Sequence, residues 1–386
     1  MIGLILAGGG ARAAYQVGVL KAIAALMPDV NTNPFPIISG TSAGAINATA
    51  LAVYATRFQE GVRRLVAVWS NFRSHNVFRS DPAGVLSSAA RWYGALLAGG
   101  RGAFMPAFLL DRTPLRELLK IYLPPEEIQK SIDAGALHAL SVTASNYTTG
   151  ESLTFFQGAE GIQGWKRVRR CGVPAQIGLD HLMASSAIPF IFAAQKIRNE
   201  YFGDGSMRQN APISPALHLG AQRVLIIGVR QEAGTAATSS AVQADYPPVA
   251  QIAGHVLNSI FLDTLDSDLE RLERINKSMR LLPGKVLEEH GITLRPIDPL
   301  LIAPSADLGD IAGRYKNTLP RSLRILLRGV GAFDREGSDL VSYLLFEKGY
   351  CRELIDLGFA DAMKRQAEVL DFLAFKPVAL KEVHLA

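Results

Sequence analysis

The strongest constraint on the fold is a pattern that occurs twice within about the first 50 residues: an apolar run, a glycine-containing turn and a helix-forming segment. The first apolar run, Ile2–Ala7, precedes three glycines and Ala13–Leu26, where apolar residues recur at helical spacing. The second, Pro36–Ser39, precedes a Gly-X-Ser-X-Gly turn and Ala45–Tyr54. Successive strand–turn–helix units form a mostly parallel sheet covered by helices. We therefore predict an α/β fold.

Further strands and helices follow from the same periodicity. The predicted strands are Ala139–Ala144, Ser152–Gln157 and Arg223–Val229. The predicted C-terminal helices are His255–Leu282, Leu319–Arg328, Ser338–Phe346, Cys351–Leu357 and Ala360–Phe372. After residue 230 the chain becomes rich in Ala, Ser and Thr, which is typical of a linker. We predict a catalytic domain at residues 1–230, a linker at 231–250 and a helical C-terminal region at 251–386.

Residues 85–110 combine large apolar side chains with several glycines. An apolar segment broken by hinges is typical of a lid over a lipid-binding cleft. An ordinary buried helical insert explains the same composition, and both interpretations stay open.

The second turn reads Gly40-Thr41-Ser42-Ala43-Gly44 and lies between a predicted strand and a predicted helix. This is the setting of a nucleophile elbow, in which glycines relieve crowding around a strained, exposed serine. The helix behind it points N-terminal amides at developing negative charge. We predict that Ser42 is a nucleophile; a structural strand–helix turn is the alternative.

The first turn, Gly8-Gly9-Gly10, opens the preceding helix and has two interpretations. Its backbone N–H groups could stabilise the oxyanion of an acyl-transfer intermediate. The same glycines with Ala13 also fit a dinucleotide-binding G-X-G-X-X-A pattern, with Asp29 as the acid for a ribose. Arg12 either anchors the loop or meets a phosphate, and the residues alone do not decide.

Four motifs together are similar to those of patatin-like phospholipases of the bacterial type with a helical C-terminal extension. They are Gly8-Gly9-Gly10-Ala11-Arg12, Gly40-Thr41-Ser42-Ala43-Gly44, Ala184-Ser185-Ser186-Ala187-Ile188-Pro189 and Gly203-Asp204-Gly205. The resemblance covers about residues 1–230. It implies a three-layer α/β/α sandwich of the patatin type with a mostly parallel central sheet, plus a helical C-terminal region.

The resemblance also implies the site residues. Ser42 would be the nucleophile, Asp204 would accept its proton directly, and Gly8, Gly9 and Gly10 would form the oxyanion hole. The supporting motif residues would be Arg12, Gly40, Gly44 and Gly205. From the residues alone, Asp204 is more simply the acid of a turn, which is what most Asp-Gly pairs are. Two positions depart from the family's usual pattern, Ser206 and Ala13, and neither removes a reacting group.

The function that this implies is lipid acyl hydrolysis, of phospholipase A, lysophospholipase or esterase type, through an acyl-serine intermediate and a Ser-Asp dyad. No metal or organic cofactor is expected, and no histidine or cysteine spacing suggests a metal site. Three alternatives remain: a dinucleotide-dependent oxidoreductase, a non-catalytic lipid-binding protein on the same fold, and a triad that uses His218.

The charge pattern bears on partners. A net charge of +5 over 386 residues is too dispersed for nucleic-acid binding. Basic residues at 166–170 and 314–328 favour peripheral contact with an anionic membrane, although most charge runs are solvated surfaces. We expect a cytoplasmic protein with neither signal peptide nor transmembrane helix, and membrane association is an open addition. The sequence leaves the oligomeric state open.

Overall fold

The structure is a computed structural model of the chain. It describes residues 1–29, 31–81, 108–231, 248–281, 294–329, 331–333 and 338–374, together with the single positions 84, 87, 90 and 94. The predicted insert at 85–110 and the predicted linker at 231–250 lie mostly outside the described residues.

Within these residues, ten strands form one mixed sheet. They are β1 (Ile2–Leu6), β2 (Ile37–Thr41), β3 (Ala139–Asn146), β4 (Ser152–Gly158), β5 (Trp165–Arg167), β6 (Arg170–Pro174), β7 (Gln195–Ile197), β8 (Glu200–Asp204), β9 (Arg223–Ile227) and β10 (Asp298–Ile302).

Helices connect and cover the strands. In the first part of the chain they are α1 (Ala14–Leu26), α2 (Ala43–Val53), α3 (Phe58–Ser70), α4 (Ser74–Val77), α5 (Thr113–Tyr122), α6 (Glu126–Asp133), α7 (Leu179–Ser185) and α8 (Ser214–His218). Later come α9 (Val249–Asn258), α10 (Thr264–Leu281), α11 (Leu308–Tyr315), α12 (Arg321–Gly329), α13 (Ser338–Leu344), α14 (Lys348–Lys364) and α15 (Gln366–Leu373). A short π-helical segment, Ser259–Asp263, joins α9 to α10.

The sheet follows the order β10-β9-β1-β2-β3-β4-β6-β5. Its five strands from β10 to β3 are mutually parallel, and β4 then runs antiparallel to β3. Alternate residues of β1 face opposite sides: Leu4 and Leu6 join one apolar cluster, and Ile5 joins another. Helices therefore cover both faces, and the predicted α/β fold with a mostly parallel sheet is confirmed.

The pairing of β8 decides the position of the site. Strand β2 ends at Thr41, which lies opposite Thr143 of β3. Beyond that point the same edge of β3 is taken by β8, running antiparallel, with Asp204 opposite Ala144. Asp204 therefore lies one residue pair beyond the end of β2, where the chain turns at Ser42.

The C-terminal region is not only helical. It also contributes strand β10, which the sequence did not predict and which extends the central sheet beside β9. Helix α14 packs along α1, and the buried Asp361 accepts hydrogen bonds from the hydroxyl groups of Tyr15 (3.2 Å) and Ser305 (2.6 Å). The expected division at residues 1–230, 231–250 and 251–386 stays a prediction, but its first and last parts share one sheet and one core.

Two glycines allow α1 and α14 to touch backbone to backbone. A Cβ atom on Gly18 would collide with the Ile355 carbonyl, and one on Gly358 would collide with the Tyr15 carbonyl. Neither carbonyl can move without disturbing its helix, so the approach depends on the absence of side chains.

We predict that Gly358→Ala lowers the free energy of unfolding by about 1–3 kcal/mol, because the added methyl group overpacks the helix contact. Gly313→Ala in α11 is the matched control, since a Cβ there meets no atom within 4 Å. It should stabilise the protein by up to about 1 kcal/mol through helix propensity. Urea denaturation measures both, and equal effects of the two substitutions would contradict the docking of α14 on α1.

Candidate active site

Ser42 lies at the sharp turn between β2 and α2. Its backbone dihedral angles are φ 55° and ψ −129°, which non-glycine residues rarely adopt. The residue is buried, at 1% exposure, and it lies at the N-terminus of α2. A strained serine between a strand and a helix is the geometry of a nucleophile elbow.

The two glycines of the elbow permit this close approach of helix and sheet. A Cβ on Gly40 would lie 2.6 Å from Cα of Ala45, and a Cβ on Gly44 would collide with the Leu6 carbonyl. Gly40 therefore allows α2 to fold back on β2, and Gly44 allows it to approach the end of β1.

Asp204 is fully buried at the end of β8. Its backbone N–H donates to the Ala187 carbonyl (2.9 Å), and its Oδ1 accepts a hydrogen bond from the Ser206 N–H (3.0 Å). Its Oδ2 is buried and has no hydrogen-bond partner of ordinary geometry among the described residues. A buried carboxylate oxygen without a partner is costly, which marks this atom as a candidate for chemistry.

Burial raises the pKa of Asp204 to about 6. The Ser42 hydroxyl acts first among the groups that lower this pKa, followed by Ser206 and Arg112. Since Oδ2 has no ordinary hydrogen bond, the Ser42 hydroxyl interacts with the carboxylate at long or bent geometry. Such contacts are common in catalytic pairs without substrate. The structure thus brings Ser42 and Asp204 together.

Ser185 supports the elbow from behind. The backbone N–H of Ser42 donates to the Ser185 hydroxyl (2.8 Å), which in turn donates to the Thr143 carbonyl of β3 (2.6 Å). The segment 184–189 therefore holds both the turn at Ser42 and, through Ala187, the backbone of Asp204. In the sequence this segment stands out only through the resemblance, and its two adjacent serines are the available signal.

Arg112 is a buried cation that the sequence analysis missed. Its guanidinium donates to the carbonyls of Met183 and Ala193 (2.8 Å to the latter) and to the Ser186 hydroxyl (3.4 Å). Burial lowers the pKa of Arg112 to about 10, and the negative charge of Asp204 opposes that shift. No sequence signal distinguishes this arginine from its exposed neighbours, because its partners are two backbone carbonyls and one hydroxyl distant in the chain.

The glycine loop, Gly8–Gly10, lies beside the elbow. Gly10 and Ser42 line the same cavity, and Gly8 contacts the Ser206 hydroxyl, since a Cβ on Gly8 would lie 2.5 Å from it. Gly205 packs against the ends of β2 and β3, where a Cβ would collide with the Thr143 carbonyl. Gly10 therefore shares a cavity with Ser42, and Gly205 follows Asp204, whereas Gly9 packs against Val229.

A largely apolar cavity of about 890 Å³, including open space at its mouth, begins at Ser42. Helices α2, α3 and α5 form its walls, and it extends toward the partly exposed Arg64 and Tyr122. Its lining suits an apolar chain. The lining residues from these three helices include Ile46, Ala50, Leu65, Val68, Trp69, Leu115 and Leu119.

The comparisons with known proteins identify the family of the chain. The sequence profile of the family described as patatin-like phospholipase matches residues 4–217, more than half of the 386-residue chain. The chain belongs to the patatin-like phospholipase family.

The comparisons with solved structures and with curated proteins are less informative about the family. Among solved structures, the chain is similar to VipD from Legionella pneumophila, at 15% sequence identity and a TM-score of 0.33. That match covers 89% of this chain and 66% of the other, just under two thirds of its length. A search of curated proteins found no match.

The structure places the residues of the rival interpretations elsewhere. Asp29 precedes β2, whereas the glycine loop follows β1. Because these strands are parallel, Asp29 and the loop lie at opposite ends of the strands. A ribose-binding acid follows the second strand instead. His218 stacks on Trp165, with ring centroids 4.7 Å apart, and burial lowers its pKa to about 4.

The predicted basic segments have different surroundings. Residues 166–170 lie in the β5–β6 hairpin, with Val168, 88% exposed, in its turn. In the second segment, Arg314 forms an ion pair with Glu353, and Arg328 lies over the Phe333 ring at 5.1 Å. In the part of the chain that the structure describes, no helix is long and apolar enough to cross a bilayer. Membrane contact stays a prediction.

The raised pKa of Asp204 predicts how stability depends on pH. The pKa of Asp204 is about 6 in the folded protein and 3.8 in the unfolded chain, so the folded protein binds the proton more tightly. The folded protein therefore loses stability as pH rises through 6. We expect Asp204→Asn to be more stable than the wild type at pH 8, by up to about 3 kcal/mol, and this gain to vanish near pH 4.

Chemical denaturation at several pH values measures this difference. Asp310→Asn is the control, since Asp310 is exposed on α11 and its replacement should change stability by less than about 0.5 kcal/mol. A pH-independent difference between Asp204→Asn and the wild type would contradict the expected burial of an ionisable carboxylate.

Proposed function

We propose that this protein hydrolyses carboxylic esters of lipids, as a phospholipase A, lysophospholipase or esterase, through an acyl-serine intermediate. Ser42 is the nucleophile and Asp204 is its general base. The observation that carries the proposal is the meeting of a strained serine and a buried, unpartnered carboxylate oxygen at the end of an apolar cavity.

In the first half of the reaction, Ser42 Oγ attacks the ester carbonyl while Asp204 Oδ2 accepts the hydroxyl proton. The backbone N–H groups of the glycine loop and the N-terminus of α2 stabilise the negative charge on the carbonyl oxygen. Collapse of the intermediate breaks the bond to the alcohol, which leaves with the proton from Asp204.

In the second half, Asp204 takes a proton from water, and the resulting hydroxide attacks the acyl-Ser42 ester. The fatty acid then leaves and Ser42 regains its proton. A base with a pKa near 6 suits both halves, because it is ionised at neutral pH and still accepts a proton in the transition state. Burial of Asp204 supports its assignment as the base, and the nearby cation of Arg112 favours the ionised form.

The apolar cavity supports a long acyl chain as the part of the substrate that the protein binds. The wall residues are carbon-rich side chains of α2, α3 and α5, and each methylene group placed there leaves water with a gain of about 0.8 kcal/mol. The carbonyl of such a chain would stand at Ser42. The alcohol group would remain outside, so the cavity does not select the lipid headgroup.

A fluorophosphonate probe tests the nucleophile. We expect covalent labelling of the wild type, no labelling of Ser42→Ala, and a labelling rate that rises as pH increases through about 6. Asp204→Asn should lose ester hydrolysis by a factor of about 100 or more, since the proton then has no acceptor. Intact hydrolysis in Asp204→Asn would remove Asp204 from its role, and labelling of Ser42→Ala would remove Ser42.

Chain-length selectivity tests the cavity. Ala50→Phe places a ring in the acyl cavity, so hydrolysis of a p-nitrophenyl palmitate should fall by about 10-fold or more in kcat/KM. Hydrolysis of the corresponding acetate should change little, because a short chain does not reach Ala50. The control is Ala134→Phe at the exposed end of α6. Equal losses for both esters would place the acyl chain elsewhere.

A further inference from the structure

Arg12, which follows the glycine loop, is held by the C-terminal region. Its Nε donates a hydrogen bond to the Ser342 hydroxyl (2.7 Å), and its Nη2 donates to Asp339 Oδ1 (2.9 Å). The guanidinium also lies 4.3 Å from the ring centre of Tyr343. Arg12 is 4% exposed, and all three partners belong to α13, about 330 residues along the chain. Arg12 therefore points away from the cavity and anchors the loop to α13.

Asp339 is itself fixed by a second set of bonds. Its Oδ2 accepts a hydrogen bond from Asn258 Nδ2 (2.8 Å), and the Tyr343 hydroxyl donates to Asn258 Oδ1 (2.7 Å). The Ser342 hydroxyl donates to the Asp339 carbonyl (2.5 Å). Each oxygen of the Asp339 carboxylate thus has one partner, so its position opposite Arg12 is determined by α9 as well as α13.

The C-terminal region also contacts the loop directly. Gly10 has φ +55°, and a Cβ there would collide with the Tyr343 carbonyl. A Cβ on Gly8 would lie 2.9 Å from the ring of Phe261, which stacks on Tyr343 with centroids 5.2 Å apart. The loop therefore packs against Phe261 and Tyr343 of the C-terminal region, and Gly8 lies beside Ser206 as well.

We propose that Asp339, Ser342 and Asn258 are positioning residues for the oxyanion hole: they hold Arg12 and thereby orient the N–H groups of the glycine loop. This inference rests on the proposed acyl transfer and assigns a role to the C-terminal region within it. Charge-assisted hydrogen bonds to a guanidinium fork are strong and directional, so they fix orientation as well as distance. Small errors in the orientation of oxyanion donors lower the rate of the chemical step and leave substrate binding unchanged.

The test compares Asp339→Asn and Ser342→Ala with the exposed Asp310→Asn. We expect kcat for a p-nitrophenyl ester to fall by about 10-fold or more in Asp339→Asn and by a smaller factor in Ser342→Ala. KM should change by less than about 2-fold in both, because neither residue lines the acyl cavity. Asp310→Asn should match the wild type in both constants.

Hydrogen exchange, read by mass spectrometry, supplies a measurement that does not need activity. Peptides that contain residues 7–13 should exchange faster in Asp339→Asn and Ser342→Ala than in the wild type or Asp310→Asn, while peptides from β3 should be unchanged. Ser342→Ala removes only one acceptor of Arg12, so it keeps the inference testable if Asp339→Asn does not fold.

The outcomes separate this inference from the proposed function. An active wild type with unchanged kcat in both variants would overturn the positioning role and leave the hydrolase intact. Slower catalysis without faster exchange at residues 7–13 would also overturn it, because the effect would then arise elsewhere. An inactive wild type would defeat the proposed function, and the exchange measurement alone would then decide whether α13 orders the loop.

Discussion

The site depends on one edge of β3. Strand β2 pairs with that edge as far as Thr41, and the chain then turns at Ser42. Strand β8 pairs with the next part of the same edge and ends at Asp204, one residue pair farther along. The two side chains are thus brought together by backbone pairing, which tolerates little displacement because each ladder bond fixes its neighbours. No flexible loop has to place the carboxylate. The strained backbone at Ser42 is held between this sheet edge and helix α2.

Placing the carboxylate in this way has an energetic consequence. Asp204 is fully buried, and one of its oxygens lacks an ordinary hydrogen bond. Its charge is stabilised first by the Ser42 hydroxyl, then by Ser206, and least by the guanidinium of Arg112. An unsatisfied buried acceptor costs about 1–3 kcal/mol. The remaining core must offset this, and it does so with apolar clusters on both faces of the sheet. A site that is locally unfavourable therefore needs a large, continuous fold around it.

The sequence predicted what is local in this arrangement. The strand–turn–helix units, the elbow and the strands β1, β3, β4 and β9 follow from periodicity and glycine placement, and the α/β fold is confirmed. The contact between Ser42 and Asp204 came only from resemblance, since Asp-Gly is an ordinary turn pair. Strand β10 was missed because it is short and begins with Asp298-Pro299, which reads as a turn. Arg112 has backbone partners that no sequence pattern reveals.

The glycine loop explains why the C-terminal region belongs to the same fold. Three successive glycines have no side chains to pack, and each loses more backbone entropy on folding than other residues do. Whatever orders such a loop must come from its neighbours. Val229 contacts Gly9, Phe261 contacts Gly8 and the backbone of Tyr343 contacts Gly10. Two of these three supports lie beyond residue 250. Because the loop has no side chains, an oxyanion could approach its backbone closely. For the same reason, the loop depends on contacts from residues beyond 250 for its order.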